Sequence, residues 1–340
     1  MNATTAPGRR VTPTARLVLP ATADRDVWLA ARRHGIGSSD VADILEVGYK
    51  TPSHVYYDKI GQLPPDDDPG EPARWGTLHE ETIAREWARR NRSVVRRVGL
   101  IANVDRPWMM CTLDRQIAEC PLARHTSQRC ALEVKHRSAW VAKRWRRAVP
   151  DDVFAQTLHQ IAVSGYDHIH TAVLIGGNDY RQHVIRRQGN EQLIADIVTV
   201  AGQMWQRIQD RTPPPASGDP EQLLDLWDRL HPDRDGTTDL DGTDAPELLL
   251  AYEDARLRAS AAEKEKKAHK AAMVAALGPH RIGRIGNEYL YGLEEVGVAP
   301  DVDLELLAEK YPAAYAECVT ERTTLKLHIP KANRLTEPLS

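Results

Sequence analysis

The sequence predicts an α/β domain followed by a smaller C-terminal unit of helical or α+β character. Three observations carry this reading. From Trp28 to about Ile208, helical and strand-like patterns alternate without long breaks. The chain then changes character at Thr212-Pro213-Pro214-Pro215-Ala216-Ser217-Gly218, a run suited to a boundary. And 340 residues exceed the size at which a single core is usual.

The elements follow in order. Met1 to Arg16 is polar and lacks the apolar middle of a secretory signal, so residues 1–18 are expected to be a disordered terminus. Ser38-Ser39-Asp40 ahead of Val41, Ile44 and Leu45 predicts a capped helix. The acidic, Pro-rich stretch Gln62 to Glu71 predicts a surface loop. Leu78, Ile83 and Trp87 space an amphipathic helix over Thr77 to Asn91, and Val94 to Val104 reads as a strand. Two apolar runs, Met109 to Leu113 and Cys130 to Val134, read as neighbouring strands of one sheet. A helix from about Asp152 to Ser164 should stop at Gly165. Strands at Ala172–Ile175 and His183–Arg186 and a helix over Glu191–Ile208 complete a domain of residues 19–210. Residues 211–246 read as linker, because the aspartates of Asp233 to Asp244 lack the glycine and glutamate placement of a calcium loop. Residues 247–340 read as a long charged helix, Leu248 to about Leu277, plus a small unit over Ile285 to Ile329.

Composition bounds the function classes. With 41% hydrophobic and 27% charged residues the chain is of globular type, and no apolar run approaches the roughly 18–20 residues of a membrane span. Four cysteines in so long a chain do not form a disulfide framework, which points to a reduced, cytoplasmic setting. Cys120, His125 and Cys130 cluster loosely, but they form no CxxC pair and no fourth ligand is evident nearby. They therefore read as loop residues rather than zinc ligands. Charge is asymmetric: residues 1–210 carry 29 Lys and Arg against 24 Asp and Glu, and residues 211–340 carry 16 against 24. The densest basic stretch, Arg137 to Arg147, suits a polyanionic partner or a solvated helix face.

The chemistry sits in Leu113-Asp114 followed, after a long connector, by Leu132-Glu133-Val134-Lys135. Period 2 places Glu133 and Lys135 on one strand face and Val134 on the other. A preceding strand ending at Asp114 can bring a second carboxylate alongside. Two carboxylates and a lysine at one sheet edge are what metal-assisted phosphodiester hydrolysis requires: oxygen ligands for Mg²⁺, and an ammonium beside the attacking water. This is the D…ExK pattern of the PD-(D/E)XK nucleases, and by itself it is a weak signal that a salt-bridged surface strand also satisfies.

Its surroundings are more specific. Trp28…Arg32…Gly35-Ile36-Gly37-Ser38-Ser39-Asp40, Trp75-Gly76-Thr77-Leu78-His79-Glu80, Cys111-Thr112-Leu113-Asp114, Leu132-Glu133-Val134-Lys135 and Val149-Pro150…Ala155-Gln156 fall in an order that resembles the YqaJ-like viral recombinase and lambda-type alkaline exonuclease family. The resemblance covers about Trp28 to Ile208. It implies a restriction-endonuclease-like core, a mixed central sheet flanked by helices, with the site at its edge. It implies Asp114 and Glu133 as metal-binding carboxylates, the Val134 carbonyl as a further ligand and Lys135 as the catalytic lysine. Glu80 would reach the metal site, Gln156 would support it, and Arg32, Ser39 and Thr112 would hold a 5′-terminal phosphate. Glu81, Arg33 and Gln160 compete with Glu80, Arg32 and Gln156. Trp28, Trp75 and Trp145 read as core or anchoring residues rather than base-stacking platforms.

The implied activity is a Mg²⁺-dependent (Mn²⁺ substituting) 5′→3′ exonuclease on double-stranded DNA ends, leaving 3′ single strands. The implied partners are a single-strand annealing or recombinase protein and further copies of the chain in a closed ring; the implied setting is a phage or prophage in a bacterial host. The connector between Asp114 and Glu133 is longer than in the compact motif, so the hairpin is expected to carry an insertion with its tip at Pro121 to Arg129. The four-cysteine iron–sulfur pattern of certain related exonucleases is absent. An endonuclease on the same fold and an inactive DNA-end-binding scaffold remain alternative readings.

Overall fold

The computed structural model describes residues 9–64, 70–122, 129–295, 302–320 and 329–335, with only the backbone of Ala332. The acidic centre of the predicted 62–71 loop, most of the 121–129 tip and parts of the 285–329 unit therefore lie outside the described residues. The chain divides into two compact units, Met1–Arg234 and Asp235–Ser340.

The first unit opens with β1 (Ala15–Pro20), α1 (Arg25–Arg32), α2 (Ser38–Ile44), α3 (Pro52–Lys59) and α4 (Gly70–Asn91). There follow β2 (Val95–Arg96), β3 (Gly99–Asn103), β4 (Met110–Leu113), β5 (Arg115–Ile117) and β6 (Cys130–Arg137). A 3₁₀ turn (Ala139–Trp145) leads to α5 (Asp151–Ser164), β7 (His168–Ile175), β8 (Asp179–Arg186), α6 (Glu191–Gln209) and α7 (Pro220–Leu230). The strands form a three-stranded sheet, β1-β3-β4, and a five-stranded mixed sheet, β2-β5-β6-β7-β8. Only the β6–β7 pairing in that larger sheet is parallel. The parallel step needs a crossover, and α5 supplies it.

Helices cover both faces of the larger sheet. On one side α2, α5 and α6 pack their apolar stripes with residues of β1, β3, β4 and β6. On the other, Ile83, Ala84 and Trp87 of α4 meet Ile117, Leu132, Val134 and Ala172. Trp87 is fully buried, and truncating a buried Trp to Ala typically costs about 3–5 kcal/mol. α5 ends where expected, at Gly165, whose φ of 75° is the left-handed helix stop.

Four sequence expectations are corrected. The N-terminal segment is ordered from within the expected disordered stretch, because β1 pairs antiparallel with β3 and Ala15 is fully buried. The single strand expected over Val94–Val104 is two, in different sheets, broken at Gly99 with φ 105°. A Cβ there would lie 2.2 Å from the Leu19 carbonyl oxygen, so only glycine allows the chain to turn against β1. The runs Met109–Leu113 and Cys130–Val134 are not neighbours in one sheet: β4 belongs to the smaller sheet, and the short β5 pairs with β6. Finally, the expected 211–246 linker contains α7, whose Leu226 is buried and whose Trp227 packs edge-on against Tyr57.

The second unit is built on α8 (Ala245–Leu277), followed by a hairpin of β9 (Ile282–Ile285) and β10 (Glu288–Gly292), then α9 (Leu304–Lys310) and α10 (Pro312–Cys318). Buried Glu253 of α8 is held by Arg256 at 2.8 Å and by the Leu335 amide at 3.1 Å.

Candidate active site

Asp114 is the residue between β4 and β5, where the chain passes from one sheet to the other. Its Oδ2 accepts a 2.7 Å hydrogen bond from the Val134 amide, which ties this junction to the middle of β6. Alternation along β6 sends Val134 into the α4 side of the sheet and Glu133 and Lys135 to the α5 side. Gln156 and Gln160, one helical turn apart on α5, meet them there.

The resulting network is closed. Glu133, 1% exposed, accepts at Oε1 from Lys135 Nζ (2.5 Å) and Gln156 Nε2 (2.6 Å), and at Oε2 from Gln160 Nε2 (2.6 Å). Lys135 Nζ also donates to Gln156 Oε1 at 2.9 Å. Both amides that competed at the sequence level thus bind one carboxylate, one on each oxygen. Buried Gln160 Oε1 makes no hydrogen bond.

Glu80 and Glu81 of α4 share one guanidinium. Arg115 donates through Nη1 to Glu80 and to the Asp114 carbonyl (2.5 Å), and through Nη2 to Glu81 (2.7 Å). Among the described residues no Arg or Lys forms an ion pair of this kind with the Asp114 carboxylate. Burial and the neighbouring Glu133 push it well above the usual carboxylate range, Glu80 adds to the rise, and Lys135 and the Val134 amide offset only part of it.

The other predicted group divides. Arg32 Nη2 donates to Ser39 Oγ (2.8 Å) and to Asp40 Oδ1 (3.1 Å), with the guanidinium 4.8 Å above the Trp28 ring. Asp40 also takes Lys59 Nζ at 2.6 Å and the Gly37 amide at 2.7 Å. Burial would raise Asp40, but Lys59 and Arg32 outweigh it and hold the carboxyl well below its ordinary value. Arg33 instead meets Asp58 at 3.3 Å. A cavity of about 710 Å³ is lined by Arg32 and Ser39 together with Lys135, Arg137 and Gln156. Thr112, half-buried on β4, is not among the residues lining it. Of the three tryptophans read as anchors, Trp145 is buried in the core, Trp28 lies under Arg32, and Trp75 stacks on His79 at 5.5 Å.

Sequence reasoning misses Arg115, whose only signal is its adjacency to Asp114, whereas Gln160, the competitor of Gln156, joins it on Glu133. It also misread the cysteines. Cys120 and Cys130 are not loose loop residues; they lie buried with His168 and His170, and the four ligand atoms fall within 4.8 Å of one another. The two histidines are remote in sequence and are brought beside Cys130 by β6–β7 pairing. His125 lies outside the described residues.

Known proteins resemble the chain over part of its length. Residues 27–167 match the model of the YqaJ-like viral recombinase domain. The uncharacterized protein YqaJ of Bacillus subtilis (strain 168) is 32% identical over 186 residues, which are 53% of this chain and 55% of that protein, so the match spans little more than half of the relative. Among solved structures, an alkaline exonuclease (LHK-Exo) from Laribacter hongkongensis aligns with a TM-score of 0.44 at 16% identity, covering 55% of this chain and 93% of that one. LHK-Exo in complex with dAMP gives 0.46 and 17% over the same shares. No helix among the described residues is long and apolar enough to cross a membrane. Over residues 27–167, then, the chain is similar to the YqaJ-like viral recombinase domain.

Proposed function

We propose that the first unit is a Mg²⁺-dependent deoxyribonuclease that degrades double-stranded DNA from its ends in the 5′→3′ direction, leaving 3′ single strands for recombination. One observation carries the reading. Glu133, Lys135 and Gln156 are hydrogen-bonded to one another, Asp114 is tied to the same strand through the Val134 amide, and Lys135 and Gln156 line the same cavity as Arg32 and Ser39.

The residues fit a divalent ion. Glu133 and Glu80 both raise the Asp114 carboxyl, and Lys135 offsets only part of that rise. Carboxylate and carbonyl oxygens are the ligands Mg²⁺ selects, and Mn²⁺ suits the same set. Asp114, Glu133, Glu80 and the Val134 carbonyl would hold it. When bound, such an ion supplies Lewis acidity toward the phosphate and makes water a better nucleophile at neutral pH.

The chain's own groups do the rest. Lys135 Nζ, tethered by Glu133 and Gln156, orients the attacking water and accepts or relays its proton. Gln156 and Gln160 fix the Glu133 carboxylate. Arg32 and Ser39, which line the same cavity, bind a terminal 5′-phosphate; Thr112, which does not line it, is left out of this pocket. Breaking the P–O3′ bond releases a 5′-mononucleotide and leaves a phosphate on the new 5′ end, which can occupy the pocket in turn. A closed ring of copies and a single-strand annealing partner rest on family likeness alone.

The test uses linear duplex labelled at either end, with closed circular DNA as control, in Mg²⁺ or EDTA. Release of the 5′ label as mononucleotide from linear DNA only, abolished by EDTA, is expected. Cutting of the circle would replace this reading with an endonuclease. No metal-dependent loss of either substrate would leave a DNA-end-binding protein.

A further inference from the structure

We propose that Cys120, Cys130, His168 and His170 form a structural zinc site that clamps the β5–β6 connector onto β7. The site does not depend on the nuclease reading.

Its construction follows from strand geometry. Cys130 opens β6, and the parallel register sets Ala131 opposite Ile169 and Leu132 opposite His170, so Cys130 falls beside His168. His168 and His170, two apart on β7, share a face. Cys120 lies three residues past the end of β5, on the near arm of the connector. Its Sγ is 3.0 Å from His168 Nε2 and 3.6 Å from His170 Nε2. All four side chains are buried, and Trp87 of α4 meets the His170 ring edge-on at 5.0 Å. This is the α4 side of the sheet, the face opposite Glu133 and Lys135.

The donor set selects the metal. Zinc bound tetrahedrally at about 2.3 Å from sulfur and 2.0–2.1 Å from nitrogen sets its ligand atoms about 3.3–3.8 Å apart. Four donors already within 4.8 Å of one another need only a small contraction. Two sulfurs and two imidazole nitrogens exclude Mg²⁺, which takes oxygen. A two-iron cluster would hold its cysteine and histidine pairs on separate irons, and so farther apart than these. With four protein ligands and no approach from solvent, the site is of the closed, structural kind. The clamp closes the loop between Cys120 and Cys130 at its base. It thereby anchors the hairpin whose strands begin just after Asp114 and carry Glu133.

The experiment measures metal in the full chain, purified without chelator or histidine tag from zinc-supplemented cells. About one zinc per chain is expected, released by a thiol-reactive mercurial and detected with a chromogenic chelator. Refolding with Co²⁺ should give the visible absorption of a tetrahedral thiolate complex. C120S and H170N should lose the metal, whereas C318S, at an exposed cysteine of the second unit, and D114N, at the carboxylate site, should keep it. Because C120S and H170N can fail to fold, the unmodified chain decides. Absence of zinc and of the cobalt spectrum, with all four thiols free on denaturation, would reduce the cluster to buried thiols and imidazoles. A Cys120–Cys130 disulfide in the unreduced peptide map would also overturn the proposal, as would zinc lost from D114N but kept in C120S.

Discussion

The two faces of β6 and β7 present opposite chemistries from interleaved residues. On one face Glu133 and Lys135 meet the amides of α5 and border a cavity. On the other, Cys130, His168 and His170 are sealed beneath α4. The first is a hard, charged donor set with like charges pressed together, the second a soft, sealed one. Strand alternation can separate two such donor sets by the thickness of one sheet, and hard and soft donors favour different metals.

The sharpest way to break this comparison is to strike the charged face alone. Lys135→Ala should lower DNA hydrolysis by roughly 10²–10⁴-fold, the range for loss of a proton-transferring group, and Asp114→Ala should abolish it by removing a metal-holding carboxylate. Circular dichroism and bound zinc should stay unchanged. Loss of both activity and zinc would mean that the two faces are one coupled unit.

Asp40 supplies the contrast within the charged region, a buried carboxylate with its cations in place. Asp40→Asn leaves Lys59, whose side chain is 1% exposed, without its partner at 2.6 Å. Breaking such a pair costs about 3–5 kcal/mol, read as a fall in the denaturant midpoint. Because folding lowers this carboxyl, its stabilisation is present above the ordinary carboxylate range and disappears as pH falls through the lowered value. Wild type should therefore lose stability on acidification below about pH 4, and D40N should lose less over the same window. Equal acid sensitivity in both would show that Asp40 is not the group that couples folding to pH.

A smaller effect is expected at Gln160. Replacement by Ala removes one donor from buried Glu133 Oε2 and should cost about 1–3 kcal/mol in stability. Gln156→Ala should depress kcat more, since Gln156 also holds Lys135; the reverse ranking would exchange their roles. The smallest change is Arg32→Lys. It keeps the charge near Asp40 and should weaken preference for 5′-phosphorylated over 5′-hydroxyl ends by about tenfold, as loss of fork geometry toward a phosphate predicts. An unaltered preference would move the phosphate pocket to Arg33 or elsewhere.

What the sequence determined by itself was local. Period 2 put Glu133 and Lys135 on one face, an i,i+4 spacing set Gln156 and Gln160 together, and Gly165 stopped α5. Each depends on the backbone geometry of a few consecutive residues. Tertiary structure decided the pairings. It split residues 95–103 between two sheets at Gly99 and made β5, not β4, the neighbour of β6. It set Arg115 between the Asp114 carbonyl and the two glutamates of α4. It also brought His168 and His170 to Cys120 and Cys130. Side-chain periodicity is written along the chain, but register between strands some forty residues apart is set by the packing of α4 and α5 on the sheet, and no short stretch of sequence encodes it.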